Sequence, residues 1–191
     1  MKRTISAAAI FIALTAFTLA GKTWKNDPAH SQLVFTVAHM GISDVSGTFN
    51  DLQATISTSK TNLSDASIEL TAKVASIDTR VEQRDTHLRS ADFLDAEKYP
   101  EISFKSTGIK PAGKNRYKLS GDLTLHGVTR PVTLDLLYRG TAQNPVNKKQ
   151  SAGYKVTGTI SRKAFKVGDK FPAPLLGDAI AISADGEFQE E

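Results

Sequence analysis

Between Thr79 and Asp95 the chain gathers Arg80, Glu82, Arg84, Asp85, His87, Arg89, Asp92 and Asp95. A guanidinium offers paired donors in a fixed fork, so arginines at this density could grip the phosphate of an anionic ligand. Arg84 and Arg89, with Arg162 farther along, are the candidates for such a head group. The alternative is ion pairing with Glu82, Asp85, Asp92 or Asp95, because opposite charges three and four residues apart meet on a helix face. The four histidines, His30, His39, His87 and His126, lack a compact ligand spacing, and the chain has no Cys. A metal site would have to be assembled from distant strands, and none is expected. Ser31 beside His30, or Asp85 near His87, supplies ingredients for acid and base chemistry. Neighbours on a strand point to opposite faces, however, and there is no G-x-S-x-G elbow and no phosphate-cradling glycine loop. The residues therefore point away from catalysis, and no cofactor is expected.

The elements that must position these groups read as strands. Leu33, Phe35 and Val37 alternate with Gln32, Val34 and Thr36, and Ile68, Leu70, Ala72 and Val74 alternate with Glu69, Thr71 and Lys73. The same period of two runs through Tyr117 to Leu125, Val132 to Tyr138, Tyr154 to Ile160 and Ile180 to Phe188, and more weakly through Gly47 to Ser57 and Ile102 to Lys110. Eight such segments with short connections predict an all-β antiparallel sandwich or barrel. His126-Gly127 between two runs reads as a tight hairpin turn, and Ala142 to Ser151 as an exposed loop. Two interruptions break the rhythm: a helical insert near residues 80–90, capped by Asp78 or Thr79 and running through Ser90, and a proline-containing segment near 162–176. Both are candidates to cover a barrel end.

If the sheet closes, its apolar face carries Leu33, Phe35, Val37, Leu70, Val74, Leu123, Leu125, Val156, Ile160 and Ile182, with His39 in phase with the first three. An eight-stranded barrel is wide enough for one small ligand or for a packed core, and periodicity alone leaves both open.

The first twenty residues predict a cleavable signal peptide: Met1-Lys2-Arg3, an apolar run to Leu19, and small residues at Thr18 and Ala20. Residues 21–191 then form one exported domain, without stable membrane insertion once the signal is removed. The formal charge of +4 includes Lys2 and Arg3, and the other cations are interspersed with acids, which gives nucleic-acid binding no support.

Four separate motifs carry a resemblance to the YceI family. They are Trp24…Asp27…His30-Ser31…Phe35…His39…Gly41, the insert Arg84-Asp85-x-His87-Leu88-Arg89-Ser90, Gly121 to Leu134, and Ile160-Ser161-Arg162-Lys163-Ala164-Phe165 leading to Leu176-Gly177-Asp178. The family commonly has Gly where this chain has Lys166. The resemblance implies an eight-stranded lipocalin-like barrel in the periplasm, with a lipophilic tunnel for a polyisoprenoid or other long amphiphile as its ligand. The other function considered is a periplasmic stress or envelope-associated interaction protein without an obligate lipid. The sequence leaves ligand identity and oligomeric state open, a homodimer included.

Overall fold

The computed structural model describes residues 21–191, so the expected signal peptide lies outside the described residues. The elements in chain order are β1 (Lys22–His39), β2 (Ser43–Phe49), β3 (Leu52–Thr58), β4 (Ser67–Lys73), β5 (Ile77–Asp78), α1 (Glu82–Arg89), β6 (Glu101–Gly113), β7 (Arg116–Leu125), β8 (Val128–Gln143), β9 (Gln150–Ser161) and β10 (Leu176–Glu190). Antiparallel pairing runs β1-β3-β4-β6-β7-β8-β9-β10, and β10 pairs back onto β1 from Trp24↔Glu190 to His39↔Leu176. The sheet is thus a closed eight-stranded barrel and not a sandwich.

The expected strand from Gly47 to Ser57 is two strands, broken at Asn50-Asp51. The reason lies in β1, which changes partner along its length. Its first residues pair with β3 (Lys22↔Thr58 to Lys25↔Thr55), and its second half pairs with β2 (Leu33↔Phe49 to His39↔Ser43). Where β1 leaves β3, the Asn26 side chain takes over the ladder, donating Nδ2–H to the Leu52 carbonyl and accepting the Ala54 amide at 2.7 Å. The chain then bulges between Asn26 and Ser31.

The registers place all connections of one kind at one end. The β1–β2 hairpin, the insert carrying α1, the β7–β8 turn and the irregular segment before β10 crown the end where β1 finishes. The β7–β8 turn is the expected tight hairpin, with His126 at φ +50° and Gly127 at φ +71° between the paired Leu125 and Val128. Positive φ at both central residues matches the right-handed twist of the flanking strands. A Cβ on Gly127 would also sit 2.3 Å from the Tyr99 ring, whose edge packs on His126 at 5.0 Å.

The helical insert differs at its start. Neither Asp78 nor Thr79 caps α1; it begins after Val81, with no side-chain cap. Instead Asp85, 4 % exposed, reaches back and accepts the Thr79 amide at 2.9 Å and the Thr79 hydroxyl at 2.5 Å. The left-handed Arg80 (φ +65°) turns the chain between them.

Inward-facing Ile56, Leu119, Leu134, Leu136 and Ile160 are buried, each such side chain contributing about 1.5–3 kcal/mol by its removal from water. Rings of Tyr138, Tyr154 and Phe188 pack in series with centroids 5.3 and 5.4 Å apart toward the opposite end, where Trp24 is also buried.

Candidate functional site

A cavity of about 390 Å³ lies within the barrel, a size typical of small-molecule sites. Its wall takes one apolar side chain after another from β1, β2, β4, β7, β9 and β10. Leu33, Phe35, Val37, His39, Leu70, Leu123, Leu125, Val156, Ile160 and Ile182 all line it. Several of them, including Leu33, Phe35, Val37, Leu70, Val156 and Ile182, are only partly buried although they face inward. A filled core would leave such side chains inaccessible. Their accessibility is that of a wall facing a cavity.

Val74 is the exception among the expected lining residues. The strand ends at Lys73, and Val74 opens a 3₁₀ turn (Val74–Ser76) whose amide bonds to the Pro100 carbonyl at 2.9 Å. The turn takes its side chain off the sheet face and into the packed core, 1 % exposed and away from the cavity.

Close approach inside the wall is arranged by glycine opposite bulk. Phe35 lies over its cross-strand partner Gly47, where a Cβ would meet the ring at 2.6 Å, and Phe104 reaches diagonally from its own partner Leu123 over Gly121, where a Cβ would meet the ring at 2.4 Å. Phe49, Ile56, Phe104, Leu119, Leu134 and Leu136 also line the cavity. Their alternation was the signal that could have found them, since it is the same as that of the expected residues. Asn26 lines it too and had no such signal, because its place depends on β1 changing partner.

At the crowned end the three candidate arginines part company. Arg162 is 1 % exposed and donates all of its N–H groups to backbone carbonyls: Nε to Gly177, Nη1 to Val167 and Gly168, Nη2 to Phe171 and Leu176, at 2.6–3.0 Å. A guanidinium has five N–H donors, so none is left for a ligand. Arg162 lines the cavity, but it does so as the internal post of the segment before β10. Arg89 pairs with Glu82 at 2.9 Å, bonds Thr86, and does not line the cavity; ion pairing within the helix accounts for it. Arg84, like Arg162, lines the cavity. It spends Nε–H on the Thr79 hydroxyl and one Nη2–H on the Thr79 carbonyl, both at 2.8 Å, which fixes the fork and leaves its Nη1 group unbonded among the described residues.

An aromatic latch joins the two covering inserts beside Arg84. Phe93 stacks on Phe171 at 4.7 Å, His87 meets Phe93 edge-on at 4.9 Å, and Lys170 pairs with Asp92 at 2.5 Å. The Lys170 ammonium and His87 hold the Asp92 carboxyl below its ordinary pKa. His87 therefore works with Asp92, while Asp85 is buried against Thr79. His30 bonds Asp27 at 2.8 Å on the exposed bulge, and the Ser31 hydroxyl reaches only the Glu187 carbonyl at 3.5 Å. Neither pair of acid and base ingredients is assembled.

Lys166 occupies the left-handed region (φ +58°) just after the 3₁₀ turn Lys163–Phe165. The turn that glycine would favour is thus formed with a lysine, at the steric cost of a Cβ there.

The model of the YceI-like domain matches residues 24–188. Protein YceI of Escherichia coli O157:H7 is 39% identical over 162 residues, covering 84% of this chain and 83% of that protein. Among solved structures, Burkholderia cenocepacia BcnA superposes with a TM-score of 0.75 at 25% identity, covering 85% of this chain and 98% of that one. A polyisoprenoid binding domain from Saccharophagus degradans, implicated in plant cell wall breakdown, superposes with a TM-score of 0.68 at 15% identity, covering 91% and 100% of the two chains.

Proposed function

Since the chain belongs to the YceI-like domain family, we propose that it is a lipid-binding protein that sequesters or carries a long-chain amphiphile, a polyisoprenoid by preference, in the barrel tunnel. The observation that carries this reading is the accessible apolar wall from Leu33 to Val37, with Leu70, Val156 and Ile182 across the cavity. Apolar area removed from water gives about 25 cal/mol per Å², enough over a long tail for tight binding without directional chemistry. Recognition is then by length and shape. In this reading Arg84 meets the head group, since Arg89 and Arg162 are engaged elsewhere. The likeness to a polyisoprenoid binding domain supports the class of ligand. We read the protein as a binder and not a catalyst, exported by residues 1–20 and working in the periplasm.

Native mass spectrometry of the protein isolated from its own envelope tests this reading, with a retained long-chain lipid as the expected result. Val156→Trp combined with Ile182→Trp places indoles where the tail would lie, so the folded variant should lose the lipid. Full occupancy in that folded variant would refute the tunnel as the site.

A further inference from the structure

The crowned end carries a second feature that tunnel binding does not use. Large apolar side chains are exposed there: Ile42 at 84 %, Met40 at 54 % and Leu175 at 41 %. They sit together, because the Met40 amide bonds the Leu175 carbonyl at 2.9 Å, tying the β1–β2 hairpin tip to the segment before β10. They also sit at the tunnel, since Leu175 and His39 both line it. Hairpin tips do not ordinarily spend Met and Ile on water; contiguous exposed apolar groups mark an interaction surface.

The charge on the same end is uneven. Residues 162–176 hold Arg162, Lys163, Lys166 and Lys170 against the single acid Asp169. Lys163 and Lys166 are exposed and make no salt bridge among the described residues. The described chain as a whole carries only a formal +2, so the rest of it is slightly acidic and the excess positive charge belongs to this segment.

We propose that this end docks on an anionic phospholipid surface, with Met40, Ile42 and Leu175 entering the interface and Lys163 and Lys166 facing the lipid phosphates. Apolar residues beside lysines are the combination that binds such surfaces, burial and charge attraction adding together. Docking brings the tunnel mouth against the bilayer, so an amphiphile passes between membrane and barrel without crossing water. The proposal rests on the tunnel being a lipid site for its purpose, but the docking itself is measurable on the empty protein.

Co-sedimentation with vesicles of phosphatidylcholine, alone or mixed with phosphatidylglycerol, tests it. The ligand-free protein should sediment with the mixed vesicles and lose that binding as salt rises. Met40→Ser with Ile42→Ser should weaken it about tenfold. Lys163→Gln with Lys166→Gln should weaken it on the mixed vesicles alone. Both pairs are exposed, and circular dichroism checks that the fold is kept. Absence of wild-type sedimentation, or undiminished binding by Met40→Ser with Ile42→Ser, overturns the proposal. A dimer in sedimentation velocity that this double variant abolishes, without vesicle binding, overturns it in favour of a second copy of the chain. Uptake of a pyrene-labelled prenol in vesicle-free solution reads the tunnel separately: vesicle binding without uptake defeats the lipid-binding reading, and uptake without vesicle binding defeats only the docking.

Discussion

Arg162 offers the sharpest test of how the tunnel mouth is held. Replacing it by Met keeps much of the volume and removes every donor from five carbonyls, those of Val167, Gly168, Phe171, Leu176 and Gly177. Hydrogen bonds from a charged group are worth about 1.5–3 kcal/mol each, so a simple sum would exceed about 7 kcal/mol. That sum is not reached, because the segment can open and let water take the carbonyls. We expect a loss of about 3–5 kcal/mol, the range for breaking a buried charged arrangement by removing one partner. Arg162→Lys keeps the charge but presents three donors from one point, which cannot span five carbonyls on both sides of the loop, and should lose about 2–3 kcal/mol. Urea unfolding gives the global value. Amide exchange of Phe165, Val167 and Phe171, whose N–H groups bond within the segment, reports local opening. A Lys variant within about 0.5 kcal/mol of wild type, with those amides still protected, would refute the argument.

Three further outcomes are expected. The Asp178 carboxyl is held below its ordinary pKa by the Lys163 amide and then the Ser161 hydroxyl; its contribution is therefore present above the unfolded value of about 3.9 and lost as pH falls through the lower folded value. The stability deficit of Asp178→Asn should shrink as pH drops through that window, as measured by urea midpoints. Gly127→Ala should cost about 1–3 kcal/mol, since a Cβ there meets both a positive φ and the Tyr99 ring, and a thermal melt would register it. Lys166→Gly should raise stability by about 0.5–1 kcal/mol by relieving the left-handed lysine, with no change in melting temperature counting against that reading.

Most strands of this barrel were legible because the physics behind them is local. A period of two marks a half-buried strand wherever it occurs, and of the inner-face residues named from it only Val74 does not line the cavity. Val74 is in phase with Leu70 and Ala72 but lies one residue past the last ladder pair of β4, Lys73↔Glu101, and ladder ends are set by partners far away in sequence. The break between β2 and β3 was hidden for the same reason, because it answers to β1 exchanging one partner for another. Arginine roles were least legible. Arg84, Arg89 and Arg162 share a side chain, and only the carbonyls, carboxylate and threonine folded against them separate an arginine with a donor left over for the cavity from a helix pair and from a loop post.

The seam between β1 and β10 also dictates when the barrel can exist. Phe35 pairs with Ile182, so the ring is shut by the first strand of the domain meeting the last. As the chain emerges from its N-terminus, β1 and whichever strand is newest stand as open edges with unpaired N–H and C=O groups, and an apolar face lies uncovered between them. Such edges invite pairing with other chains. Contacts this distant in sequence also form slowly, since the entropy of closing the chain precedes their reward. A chain cut before Leu176 would lack the closing strand altogether and should accumulate as an open, aggregating sheet. Whatever attends this protein before its last strand arrives must keep the β1 edge from other strands, and that need ends at the moment of closure.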